Sequence, residues 1–140
     1  MKTIKFRAWD SYQNKMYEWD EICKMDSDES LTLTNLLNGF IDHIKPLQFT
    51  GLKDKNGVEV FKNDIVEMRS EYGNSDDDYR DFDLTYTGRI VVLPSLGVCI
   101  RNPKIFNHIT GKTSTYSGYK TIAAYRSVKI GNIYENPELL

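Results

Sequence analysis

The sequence predicts a mainly β fold with one short helix, in which an N-terminal hairpin region packs on a small barrel or sandwich. Three observations lead there. Short segments along the chain alternate apolar and polar residues, the period of a half-buried strand. Turn-forming residues separate those segments at close intervals, as in small barrels and sandwiches. Only one stretch, Leu31 to Ile44, repeats its apolar residues at the three-and-four spacing of an amphipathic helix.

The elements follow in order. Ile4 to Trp9 alternates, Asp10 to Asn14 is turn chemistry, and Lys15 to Trp19 resumes the alternation, so the chain opens with a hairpin. Asp26 to Ser30 reads as a loop. The helix follows, with Leu33, Leu36, Leu37, Phe40, Ile41 and Ile44 on one face, weakened by Gly39 and ended by Pro46. Leu47 to Thr50 is a strand, and Asp54-Lys55-Asn56-Gly57 is a turn, because Asn-Gly accommodates positive φ. Val58 to Phe61 and Ile65 to Met68 are strands around the turn Lys62-Asn63-Asp64. Strands return at Thr87–Leu93 and Val98–Arg101, joined by Pro94 to Gly97. Asn102 to Gly118 is a long polar segment, and Thr121 to Ile133 is the last strand region. The expected core is Ile4, Phe6, Trp9, Phe49, Ile65, Val66, Ile90, Val92, Val98, Ile100, Val128, Ile130 and Ile133, on inward positions or in short apolar runs.

A length of 140 residues suits one domain or two small subdomains. The division expected is a hairpin-plus-helix part over 1–46 and a barrel-like part over 47–140, interrupted by an acidic loop at 71–83. Cys23 and Cys99 match no paired spacing, so no disulfide framework is expected and a reducing cytoplasm is the simplest compartment. Charge and aromatic residues reach the N-terminus before an apolar signal core can form. No apolar run approaches the roughly 18 residues of a membrane span.

Net charge is −2, but the total conceals a division. From Met1 to Asp83 there are 11 Lys and Arg against 18 Asp and Glu, whereas Leu84 to Tyr134 carries seven basic residues and no acid. Such asymmetry speaks of partners rather than of fold. The acidic run Glu71 to Asp83 is poor in apolar residues and reads as an exposed excursion whose ordering would not be repaid by burial.

Three stretches in order carry a family signature: IKFRAWD from Ile4 to Asp10 with Lys15-Met16-Tyr17, FTGLKDKNGVEVFKNDIV from Phe49 to Val66, and IGNIYENPELL from Ile130 to Leu140. The chain resembles the YopX family of small proteins carried by temperate phages and prophages of Gram-positive bacteria. That resemblance implies a mostly β protein with a barrel like the SH3-like folds, and allows an oligomer. It supplies no activity and no catalytic residues. The motifs read structurally: Asp54 and Gly57 make a turn, Asp64 caps the next by bonding its own backbone two residues on, and Leu139-Leu140 tucks against the core.

Catalytic and metal chemistry finds no support in the spacing. His43 and His108 lie near neither cysteine in sequence, and two Cys with two His lack zinc-ligand spacing. The run Asn74 to Tyr79 begins like a calcium loop, yet Tyr79 stands where the sharp-turn glycine belongs and Thr85 where the bidentate Glu belongs. No glycine-rich phosphate loop occurs. The expectation is therefore a non-enzymatic protein without cofactor or metal.

The strongest functional feature is the acid-free half. Arg89, Arg101, Lys104, Lys112, Lys120, Arg126 and Lys129 are interleaved with Phe106, Tyr116 and Tyr119. Cations track phosphates and aromatic faces stack bases, as in small β-barrels that hold single strands. The competing reading pairs this half with the acidic half of a second copy or of another protein. The sequence thus points first to an interaction or assembly module, as a homo-oligomer or with a protein partner, and second to a nucleic-acid-binding accessory protein. A small hydrolase or nuclease has only the 20 acids and two histidines behind it.

Overall fold

The computed structural model describes residues 5–25, 43–71 and 83–140. Within them the protein is mainly β with one short helix, consistent with a barrel or sandwich. The chain divides into two units, Met1–Gly51 and Leu52–Leu140.

In the first unit, β1 (Phe6–Asp10) pairs antiparallel with β2 (Lys15–Tyr17) on one side and with β3 (Ile44–Lys53) on the other. The turn after β1 forms because the Asp10 carboxylate accepts from the backbone N–H groups of Tyr12 and Gln13, at 2.9 and 3.2 Å. The helix, α1, is Trp19–Met25, directly after β2. Asp20 and Glu21 in its first turn and Lys24 in its last suit the helix dipole. It inserts Ile22 against Ala8 and Ile44, flanked by Tyr17 and Trp19. Sequence alternation had carried Trp19 into the hairpin; instead it opens the helix. The expected helix at 31–44 falls largely outside the described residues. Its last residue, Ile44, begins β3, and Pro46 stands inside that strand opposite Ala8.

In the second unit, β3 runs out into the turn Asp54–Gly57 and returns as β4 (Glu59–Phe61). The larger sheet is antiparallel: β10 (Ser127–Asn132), β5 (Asp64–Glu71), β6 (Asp83–Leu93), β7 (Gly97–Asn107) and β8 (Thr113–Thr115), with β9 (Tyr119–Thr121) also pairing β7. Its core is Val60, Val66, Met68, Tyr86, Ile90 and Ile100. Of the expected core, Trp9, Phe49, Ile65, Val66, Ile90 and Ile100 are buried, and Phe6, Val98, Val128, Ile130 and Ile133 are half-buried. Ile4 lies outside the described residues. Val92 is exposed, because it stands at the end of the β6–β7 hairpin, where Leu93 to Gly97 are themselves half-buried or exposed.

Asp64 accepts from Phe61 N at 2.7 Å, and its carboxylate also meets Lys129 Nζ at 3.2 Å. Two further expectations change. Leu140 is exposed and only Leu139 is half-buried. The acidic excursion is shorter than 71–83: β5 extends to Glu71 and β6 starts at Asp83, and these two residues pair in register. The span between them lies outside the described residues, as do the calcium-loop candidates at 74–79.

Candidate functional site

The site grows from one irregularity in β7. A regular strand would send Arg101 and Lys104, three apart, to opposite faces. Here Arg89 faces Arg101 while Thr87 faces Lys104, so Asn102 and Pro103 together oppose the single residue Gly88. This is a β-bulge, and it turns both cations to the same face. Asn102 takes φ of 47°, which asparagine tolerates better than most residues, and its side-chain oxygen accepts from Gly118 N at 3.0 Å. Gly88 is required opposite: a Cβ there would lie 2.6 Å from Ile100 Cγ2 and 3.1 Å from the Arg101 carbonyl oxygen.

Residues directly opposite on adjacent strands share a face. Register therefore collects Arg89, Arg101, Lys104, Phe106 and Tyr119 on the outer face: Arg101 stands between Arg89 and Tyr119, Lys104 between Thr87 and Thr115, and Phe106 between Thr85 and Thr113. Arg101, Lys104, Phe106 and Tyr119 are exposed and Arg89 is half-buried. Among the described residues no carboxylate lies within ion-pair distance of Arg89, Arg101 or Lys104. Arg89, Arg101, Asn102 and Leu140 line an open cavity of about 310 Å³. The β5 side of this face is less basic, since Glu67 stands opposite Thr87 and Arg69 pairs with Asp83 at 2.7 Å. That guanidinium bond, with the charges of Arg69 and His108, holds the Asp83 carboxyl below its ordinary range.

The other sequence candidates go elsewhere. Lys120 stands opposite Ile100 on the core face, and its Nζ sits 4.9 Å from the centre of the Tyr86 ring, an attraction between cation and π-system. Lys129, opposite Val66, is engaged by Asp64. Arg126 is in a 3₁₀ turn, Ala124–Arg126, with its guanidinium over Tyr125 and its Nε buried without a hydrogen-bond partner. Lys112 and Tyr116 flank β8, and Tyr116 lies against Gly118. Seven cations that are neighbours in sequence are thus shared between two faces and the loops.

Cys99 is buried, which pushes its thiol above the ordinary cysteine range and away from the reactive thiolate. His43 stacks on Tyr12 at 4.0 Å. His108 Nε2 lies 2.6 Å from Thr85 Oγ1 and its ring meets Phe106 edge-on, an exposed arrangement in which no described residue orients the second ring nitrogen. Among the described residues no group of three or more His, Cys, Asp or Glu is placed to hold a metal ion. No described helix is long and apolar enough to cross a membrane.

The pattern that defines the YopX protein family matches residues 5–140. The chain belongs to the YopX family. This agrees with the three motifs read in the sequence. Curated proteins give no match. Among solved structures, the crystal structure of protein EF1440 from Enterococcus faecalis is similar, with a TM-score of 0.54 and 23% identity. The likeness covers 100% of this chain and 99% of that one. At that identity it shows a shared fold and no more. In this YopX protein the outer face of β6 to β9 carries Arg89, Arg101, Lys104, Phe106 and Tyr119.

Proposed function

We propose that this YopX protein is a non-enzymatic binding module of a phage or prophage type element, and that its outer sheet face holds single-stranded nucleic acid. The observation that supports this most is Arg89 facing Arg101 across adjacent strands, with Lys104 beyond the bulge and, among the described residues, no acid paired to any of the three. Like charges placed directly opposite destabilise a sheet, so an unneutralised pair of this kind suits an anionic partner. Phe106 and Tyr119 on the same face offer rings on which bases stack, a contribution of about 1–3 kcal/mol per base.

Titrating a fluorescent single-stranded oligonucleotide by anisotropy at several salt concentrations tests this reading. Three phosphate contacts predict a log–log salt slope near −2, at about −0.7 per contact on single strands. Arg101→Ala with Lys104→Ala should flatten that slope by about 1.4, while Lys112→Ala leaves it unchanged. Absence of binding at low salt, or an equal slope in the double variant, would remove this reading.

The division of charge along the sequence supports a second reading, in which the acidic 71–83 stretch of one copy meets the basic face of another. Light scattering at low and high salt separates the two, because only self-association gives a mass that falls as salt rises without any nucleic acid.

A further inference from the structure

We infer that the cavity between Arg89, Arg101, Asn102 and Leu140 is a pre-formed site for a single phosphate group. The inference deepens the strand-binding reading by naming a subsite, yet it can stand or fall separately, since a phosphate can arrive on a strand or alone. Four facts carry it. The two arginines are directly opposed in register, so their Cβ atoms stand about 5 Å apart and both forks can reach one oxyanion. Neither has an acidic partner among the described residues. The cavity of about 310 Å³ exceeds what a phosphate group needs and remains open, so a phosphate attached to a larger molecule can enter. Finally, the wall between the cations is built rather than incidental: Asn102 is held at φ of 47° by the bulge and by its bond to Gly118 N, and only glycine fits opposite at position 88.

Planar guanidinium groups bind phosphate through two parallel hydrogen bonds each, which an ammonium cannot do. The site therefore favours a tetrahedral dianion over chloride at equal ionic strength. It also carries a cost in the empty state, because the two cations repel each other across the strands.

The test is thermal unfolding of the full chain in potassium phosphate, on the order of 50 mM, against potassium chloride of matched ionic strength. The expected result is a Tm raised by about 3 °C or more in phosphate, as mass action requires of a ligand that binds only the folded state. Arg101→Gln and Arg89→Gln should each abolish the phosphate-specific rise and, in chloride, should unfold no earlier than the parent. Lys112→Ala, outside the cavity and the outer-face cations, should keep the rise. Should half-buried Arg89→Gln fail to fold, the exposed Arg101→Gln still decides the matter. An equal Tm in phosphate and chloride, or a rise that survives Arg101→Gln, overturns the site.

Two further arms identify where the phosphate comes from. Inorganic phosphate is added as competitor against a short oligonucleotide with and without a 5′-phosphate, at constant ionic strength. Equal competition against both assigns the pocket to a backbone phosphate, and competition against the 5′-phosphorylated strand alone assigns it to a terminal one. A phosphate-specific rise with no oligonucleotide binding at all keeps the pocket and removes the strand-binding reading. Strand binding without that rise does the reverse.

Discussion

Replacing Lys129 by Met should destabilise the protein by about 3–5 kcal/mol, although the residue looks in sequence like one more cation of a basic surface. The reason is Asp64. Its carboxylate is almost wholly buried, and Lys129 Nζ approaches it at 3.2 Å while Phe61 N donates to the same oxygen at 2.7 Å. Removing the ammonium takes one cation away from a buried negative charge, which is far costlier than losing an exposed pair. Urea unfolding of Lys129→Met, Asp64→Ala and the double variant measures this. The two substitutions should be strongly non-additive, with a coupling of at least about 1 kcal/mol. Simple additivity would show that the pair contributes nothing as a pair. The variant that folds should bind oligonucleotide like the parent, since Lys129 is on the core side of the sheet.

Asp54→Ala is expected to cost about 2–4 kcal/mol and to remove part of the acid sensitivity of the fold. One oxygen of Asp54 accepts from Asn56 N and Val58 N, each at 2.9 Å, and the other from Lys129 N at 2.9 Å. A single carboxylate thus shapes the turn after β3 and ties it to β10, where Lys55 N also bonds the Ser127 carbonyl. Burial alone would raise the Asp54 carboxyl. The backbone donors of Lys129, Val58 and Asn56, helped by the Lys129 charge, outweigh it and hold the carboxyl below its ordinary range. The folded state therefore binds this proton less readily than the unfolded chain. Its contribution is complete above the unfolded value of about 3.9 and is lost as pH falls through the lower folded value. Chemical unfolding between pH 6 and pH 2 should show the parent losing stability on acidification more steeply than Asp54→Ala. Parallel curves would show that this carboxylate is not linked to folding. Asp54→Asn should recover little, because an amide donor then faces the Lys129 N–H.

How much of this could be read from residues alone depends on how local the signal is. The Asp10–Asn14 and Asp54–Gly57 turns were legible because one side chain and its own backbone determine each. The β6–β7 hairpin was legible from its alternation and from Pro94 to Gly97. The helix at Trp19–Met25 was not, since a seven-residue element that buries Ile22 is too short to carry a period, and the alternation of Lys15 to Trp19 hides its start. Val92 followed the inward rhythm of Ile90, but position at the end of a hairpin outweighed periodicity. The site was half legible. Composition gave the cations, but which of them share a face depends on the bulge, and the bulge depends on a strand brought alongside. Its one local trace was Gly88, an isolated glycine in a strand pattern, with Asn102-Pro103 as punctuation in the opposing strand. Lys129 shows the opposite limit: only the three-dimensional position of Asp64, 65 residues earlier, turns a surface cation into part of the core.

The most direct measurement of the central claim is an amide chemical-shift map recorded while unlabelled single-stranded oligonucleotide is titrated into the isotopically labelled protein. The outer face predicts that the largest changes fall at Arg89, Arg101, Asn102, Lys104, Phe106 and Tyr119, with Lys120, Arg126 and Lys129 nearly still. Changes centred on Lys120, Arg126 and Lys129, or no changes at low salt and saturating oligonucleotide, would contradict it.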